Sequence, residues 1–188
     1  MKKYNKKLVT IGIISTCMIT NIAMAYNIKY SNGYNNIPAY VVGYSGFSNE
    51  TTQAIHNSCL AWNIVHDGDL VYRSTSTHSR TGTAVKNGVN EITKYNLGTN
   101  SYIMVTGIYN PAFKLNDISE ADITINISYP FGSASTSFDT QSAITHEIGH
   151  LLGLGHSSVT AACMYETIDP GTIKGVHTDD INGINSIY

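Results

Sequence analysis

The stretch His146-Glu147-Ile148-Gly149-His150-Leu151-Leu152-Gly153-Leu154-Gly155-His156 constrains this chain more than any other. On a helix each residue advances about 100°, so His146 and His150 stand one turn and about 40° apart, with Glu147 about 100° from His146. All three face one quadrant. Two imidazoles at that spacing can hold one Zn2+, while the carboxylate between them reaches a water on the metal rather than the metal itself. Gly153 is placed to end the helix, because a residue without Cβ takes the left-handed conformation that turns the chain back. His156 then returns as a third ligand. Three protein ligands leave the fourth tetrahedral position to water, which separates a catalytic zinc from a closed structural one. His146, His150 and His156 are thus the expected ligands of one catalytic ion, and Glu147 the expected general base and acid of peptide hydrolysis.

Residues 1–25 read as an export signal. Lys2, Lys3, Lys6 and Lys7 form a basic start, an apolar run follows from Leu8 to about Ile19, and Ala23-Met24-Ala25 supplies a small-x-small cleavage site. The run is short for the roughly 20 residues of a membrane span and is interrupted by Thr20 and Asn21. A lipoprotein reading through Cys17 suffers from the Thr16 before it. Cleavage would leave residues 26–188 as one secreted domain, with a core of its own and no room for a second. Without the signal, seven Lys+Arg face thirteen Asp+Glu, a net of −6. An acidic domain without a basic patch argues against nucleic acid as a partner, and its apolar residues form no membrane-length run. A protein or peptide substrate and a monomeric chain are expected.

Ile37 to Tyr44 alternates as a strand, with Ala39, Val41 and Gly43 on one side. Ser48 or Asn49 can cap a helix running to about Val65, whose stripe Ile55, Cys59, Trp62 suits burial on a sheet, and Gly68 is expected to end that unit. Leu70 to Ser76, Val89 to Tyr95 and Tyr102 to Tyr109 are further strands, separated by a polar loop from Thr77 to Gly88, which holds a solvated His78, and by a turn at Gly98-Thr99-Asn100. His56 and His66 read as surface or capping residues. In Ala121 to Ile127 the alternation puts Ile123, Ile125 and Ile127 on a single core face. Asp139 or Thr140 can cap the helix that carries His146, and Ile144, Ile148 and Leu151 form its buried side. Ile181, Ile184 and Ile187 step by three on a last helix that Thr178 can cap.

The long histidine pattern, together with Cys163-Met164-Tyr165, resembles the zinc signature and Met-turn of the metzincins. Ser157 directly after the third histidine is similar to the matrixins, where astacins place Glu and adamalysins Asp. Tyr165 directly after Met164 does not match the tyrosine that astacins and serralysins place two residues beyond the Met. Ala121-Asp122-Ile123 and the Asp179-Asp180 pair at the last helix also resemble matrixin segments. The resemblance runs from about Ile37 to Tyr188, with its strong motifs in the last third. It implies an α+β zincin fold: a twisted mixed sheet of about five strands backed by two helices, then a small C-terminal part with the Met-turn and a third helix.

It further implies that Met164 floors the three imidazoles without binding metal, and that Tyr165 to His177 walls the pocket for the side chain after the cut bond. Glu166 stands where Pro is common. Asp179 and Asp180 brace the Met-turn or the mature N-terminus in the family, the alternative being two solvated first-turn acids favoured by the helix dipole. Pro130 to Ser137 carries no His, Asp or Glu, so a structural zinc is not expected; calcium stays open, since backbone carbonyls can ligate it. No cysteine between Tyr26 and the first helix matches the family's inhibitory thiolate. Cys59 and Cys163, the two cysteines left after signal removal, are expected to form a disulfide in an exported chain, against the alternative of two buried thiols. The rival to a secreted zinc endopeptidase is a secreted, non-catalytic binding module on the same zinc scaffold, which would have no need of Glu147.

Overall fold

The computed structural model describes residues 25–188; the signal reading falls almost wholly outside them. Five strands and three helices follow in the order β1 (Ala39–Tyr44), α1 (Asn49–His66), β2 (Val71–His78), β3 (Asn90–Tyr95), β4 (Met104–Tyr109), β5 (Glu120–Asn126), α2 (Thr140–Leu151) and α3 (Thr178–Ile184). This is the α+β mixed sheet with three helices that the sequence implied. The strands are arranged β2-β1-β3-β5-β4. All neighbours run parallel except β4, which is antiparallel to β5. The parallel strands are joined by connections long enough to cross the sheet, as parallel pairing requires. β4 is left as an edge.

Local chemistry explains the helix ends. Ser48 Oγ accepts from the Thr51 N–H at the start of α1, and Asp139 Oδ1 accepts from the Ser142 N–H at 2.7 Å at the start of α2. Each satisfies a donor that a first turn leaves unpaired. α1 stops one residue before the expected Gly68: Asp67 itself takes the left-handed conformation at φ 56, one that a short polar side chain tolerates. α3 is capped by His177 rather than Thr178, with Asp180 completing a capping box.

The core lies between the sheet and α1 and α2. Ile55, Cys59 and Trp62 of α1 are buried, as are Ile144, Ile148 and Leu151 of α2, against Ala39, Val41, Ile92, Ile123 and Ile125 of the sheet. Burying a side chain of this size contributes about 1.5–3 kcal/mol, so these two stripes and the sheet's inner face dominate the stabilisation. Trp62 also donates from Nε1 to Thr145 O at 2.9 Å, which locks α1 to α2.

Three expectations need correction. β5 is buried on both faces rather than one. The segment between β2 and β3 folds over its second side, where Asp122 Oδ2 accepts from Val85 N and Glu120 accepts from Asn87 N and Gly88 N. Ile127, assigned to the core face, lies beyond the strand and is 55% exposed. His78 is not a solvated loop residue: it closes β2, half-buried, with Nε2 3.1 Å from Ile92 O.

The expected disulfide is also absent, since Cys59 and Cys163 are both free and buried. Trp62 of α1 packs close to Met164, since a Cβ built on Gly149 would touch both. Cys59 instead feels Arg73 of β2, while Cys163 feels Asp180, Lys174 and Glu147. Burial pushes both thiols up, Cys59 to about 12, so both behave as small apolar residues.

Candidate active site

Helix α2 presents His146, Glu147 and His150, and the turn after it returns His156. Gly153 makes that turn at φ +108. A Cβ there would also stand 2.8 Å from Tyr30 O, so both backbone conformation and space call for glycine. The N-terminal segment fastens the returning chain: Lys29 N and Tyr30 N donate to Gly153 O, and Gly155 N donates to Asn27 O. The ligand-capable nitrogens of His146, His150 and His156 lie within 4.8 Å of one another.

Two of the rings are held in one tautomer. His146 Nδ1 lies 2.8 Å from Cys163 O and His150 Nδ1 2.9 Å from Leu154 O. A carbonyl only accepts, so each Nδ1 carries the proton and each Nε2 is left with a lone pair for a metal. Burial, as the largest cause, lowers both imidazoles to about 4, which keeps them neutral and able to ligate at neutral pH. This donor set fits zinc: three imidazole nitrogens, with backbone carbonyls behind two of them.

Met164 is buried. Gly149, on the turn between the two helical histidines, makes room for it, because a Cβ there would stand 2.3 Å from Met164 Sδ. Asp180, with no exposed surface, accepts from Cys163 N at 2.8 Å, Met164 N at 3.0 Å and His177 N at 2.8 Å. Asp179 accepts from Ser157 Oγ at 2.5 Å, directly after the third histidine. Of the two readings for this pair, bracing is the one the contacts show. Asp180 holds the Met-turn, and through Cys163 O it also steadies His146.

Glu147 is 6% exposed and its carboxyl is pushed up chiefly by burial, with His150 and Thr106 pulling it down. Its Oε2 accepts from Thr106 Oγ1 at 2.6 Å. Thr106 sits mid-way along the edge strand β4, and sequence reasoning missed it, because nothing in an alternating strand marks which residue meets a helix 41 positions away. The side chains surround a cleft of about 980 Å3, lined by β4 from Met104 to Thr106, by Tyr102, Ile103 and Ile108, by the histidines and Glu147, and by Cys163 and Tyr165 to Ile168. Asn27, Lys29 and Ser142 also line it, and the sequence pattern marked none of these three; Lys174 lines it from within the segment Tyr165 to His177 that the resemblance implied as pocket wall.

The family profile described as Matrixin matches residues 66–188. Metalloendoproteinase 1 of Glycine max is 53% identical over 55 residues, 29% of this chain and 18% of that protein. Metalloendoproteinase 4-MMP of Arabidopsis thaliana is 48% identical over 56 residues, 29% of this chain and 16% of that protein. Human matrilysin is 51% identical over 49 residues, 24% of this chain and 18% of that protein. The matched stretch covers less than a fifth of each of these relatives. With a profile that spans more than half of its length and takes in β2, β3, β4, β5, α2 and α3, the chain belongs to the matrixin family.

Proposed function

We propose that the chain is a zinc-dependent endopeptidase whose metal is held by His146, His150 and His156. The observation that carries this reading is the convergence of three imidazoles, two with Nδ1 committed to carbonyls, beside a buried carboxylate at the floor of a long cleft. Zinc in that position would supply Lewis acidity, polarising a peptide carbonyl and acidifying a water.

The chain's own residues do the rest. An extended peptide adds to the open edge of β4, where main-chain hydrogen bonds position it across the histidines. Glu147, held by the Thr106 hydroxyl, takes a proton from the attacking water and delivers it to the leaving amine. Its burial suits a group that must hold and release a proton near neutral pH. The relatives are named as metalloendoproteinases and a matrilysin, which agrees with this reading. Residues 1–25 act as an export signal, so that the domain 26–188 works as a secreted monomer on protein or peptide substrates; among the described residues no helix is long and apolar enough to cross a membrane.

The decisive experiment compares wild type with Glu147→Ala on a quenched peptide library, with and without a chelator. Wild type should lose activity to the chelator and regain it with stoichiometric Zn2+. Glu147→Ala should keep about one zinc per chain yet lose at least about 10²–10⁴-fold in kcat. Activity within tenfold of wild type in that variant would refute the assignment.

A further inference from the structure

The cleft differs at its two ends. Asn27, Lys29 and Tyr30 line one. The other is a pocket between the first turns of α2 and the segment 165–174, where Tyr129, Phe138 and Ala143 provide aromatic and apolar walls. Lys174 stands in that wall, half-buried. Its main-chain N–H donates to Ser142 Oγ at 2.8 Å, which ties the segment to α2. Its side chain turns back, so that Nζ donates to Thr167 O at 3.0 Å and lies 4.7 Å from the centroid of the Tyr165 ring. An ammonium has three hydrogens, and a carbonyl and a ring face do not neutralise its charge. Among the described residues it has no carboxylate partner within 4.0 Å. Glu166 lines the same cleft but is exposed to solvent.

The topology says which substrate residue passes this pocket. Tyr129 donates from its hydroxyl to Thr99 O and Ser101 O, just ahead of β4, so the pocket lies toward the start of β4. A peptide paired antiparallel to β4, the more stable of the two pairings, runs toward that end. The residues after the cut bond therefore meet Lys174.

We propose that this pocket selects a carboxylate-bearing side chain, glutamate above all, on the residue that follows the cut bond. The inference rests on the peptidase reading and names its preferred substrate. Glutamate covers the apolar walls with its methylenes and brings its carboxylate to Nζ, where it forms a charge-assisted hydrogen bond. Leucine would fill the walls but displace water from an ammonium left without a counter-ion. Lysine would meet a like charge. Aspartate carries the right charge on a stem that covers less of the walls.

The test uses the zinc-loaded chain and peptides that differ only at this position, carrying Glu, Gln, Leu or Lys, with mass spectrometry locating the cut. The kcat/KM for Glu should exceed that for Gln by about tenfold, the order expected of one charged hydrogen bond, and the ratio should shrink at high salt. Lys174→Met should bring Glu and Gln level and favour Leu; Lys174→Glu should favour Lys. Because the main-chain bond from Lys174 to Ser142 survives any change of its side chain, thermal unfolding should show both variants folded, and Lys174→Arg should retain the Glu preference. Glu166→Gln should sharpen it, by removing the other carboxylate at this end. Equal cleavage of Glu and Gln by wild type, or a Glu preference that survives in Lys174→Met, overturns the pocket assignment while leaving the peptidase intact. Cleavage of no peptide at all overturns the peptidase reading and this inference with it.

Discussion

Replacing Asp180 by alanine should uncouple the Met-turn from the last helix, and its cost can be worked from three hydrogen bonds. The carboxylate is fully buried and accepts from the main-chain N–H groups of Cys163, Met164 and His177 at 2.8–3.0 Å. At about 1.5 kcal/mol for each bond to a charged acceptor, the loss comes to roughly 4–5 kcal/mol. For a domain of this size that corresponds to a fall of about 10–15 °C in Tm. Asp180→Asn keeps the shape and can place its oxygen where Oδ2 accepts from both Cys163 and His177, leaving only the Met164 N–H facing an amide NH2. It should cost about 1.5–3 kcal/mol. The same perturbation reaches the metal site, because the Cys163 carbonyl that orients His146 belongs to the turn Asp180 holds; zinc affinity should fall about 10–100-fold. Urea unfolding of the zinc-free protein, and competition for zinc against a chromogenic chelator, measure the two effects separately. An alanine variant within about 1 kcal/mol of wild type, with unchanged zinc affinity, would show that the turn holds its own shape.

Thr106→Val should lower kcat by about ten- to hundredfold, the value of one hydrogen bond to a carboxylate, and Thr106→Ser should restore it; steady-state kinetics showing Val equal to wild type would remove Thr106 from the mechanism. Alkylation of the denatured, non-reduced protein should add two labels to the mature chain, one each on Cys59 and Cys163, whereas the native protein resists labelling because burial keeps both thiols protonated; an unlabelled denatured chain would mean a bridge. The zinc-free protein should lose stability as pH falls from about 6.5 toward 4, because His146 and His150 have folded values of about 4 and the unfolded chain, titrating near 6.5, binds more protons across that window. Glu147 and Asp122, raised by burial, act in the opposite sense, so the histidine contribution is read against a His146→Gln/His150→Gln variant, whose urea-unfolding profile should be flatter. An identical profile in that variant would count against the burial argument.

Helix α2 was legible in the chain because its signal is local. Helical periodicity alone puts His146, Glu147 and His150 in one quadrant and Ile144, Ile148 and Leu151 on the other side, and Gly153 marks the turn by its lack of a Cβ. The core stripe of α1 and the inward residues of β1 could be read for the same reason, since a period of 3.6 or 2 needs no knowledge of the partner. Tertiary structure alone decided everything that depends on which segments meet. Alternation in β5 suggested one solvated face, yet the chain between β2 and β3 covers it, and Asp122 and Thr124 end up buried. Cys59 and Cys163 read as a pair by count, but the fold leaves both thiols free and buried. Thr106 reaches Glu147 from a strand 41 positions away, and the three main-chain donors that Asp180 gathers are known only from the fold, although the resemblance had implied its bracing role. Such contacts are set by strand order and by the packing of α1 and α2 on the sheet, which no short stretch of sequence encodes, because the free energy that selects them belongs to the assembled core and not to any one element.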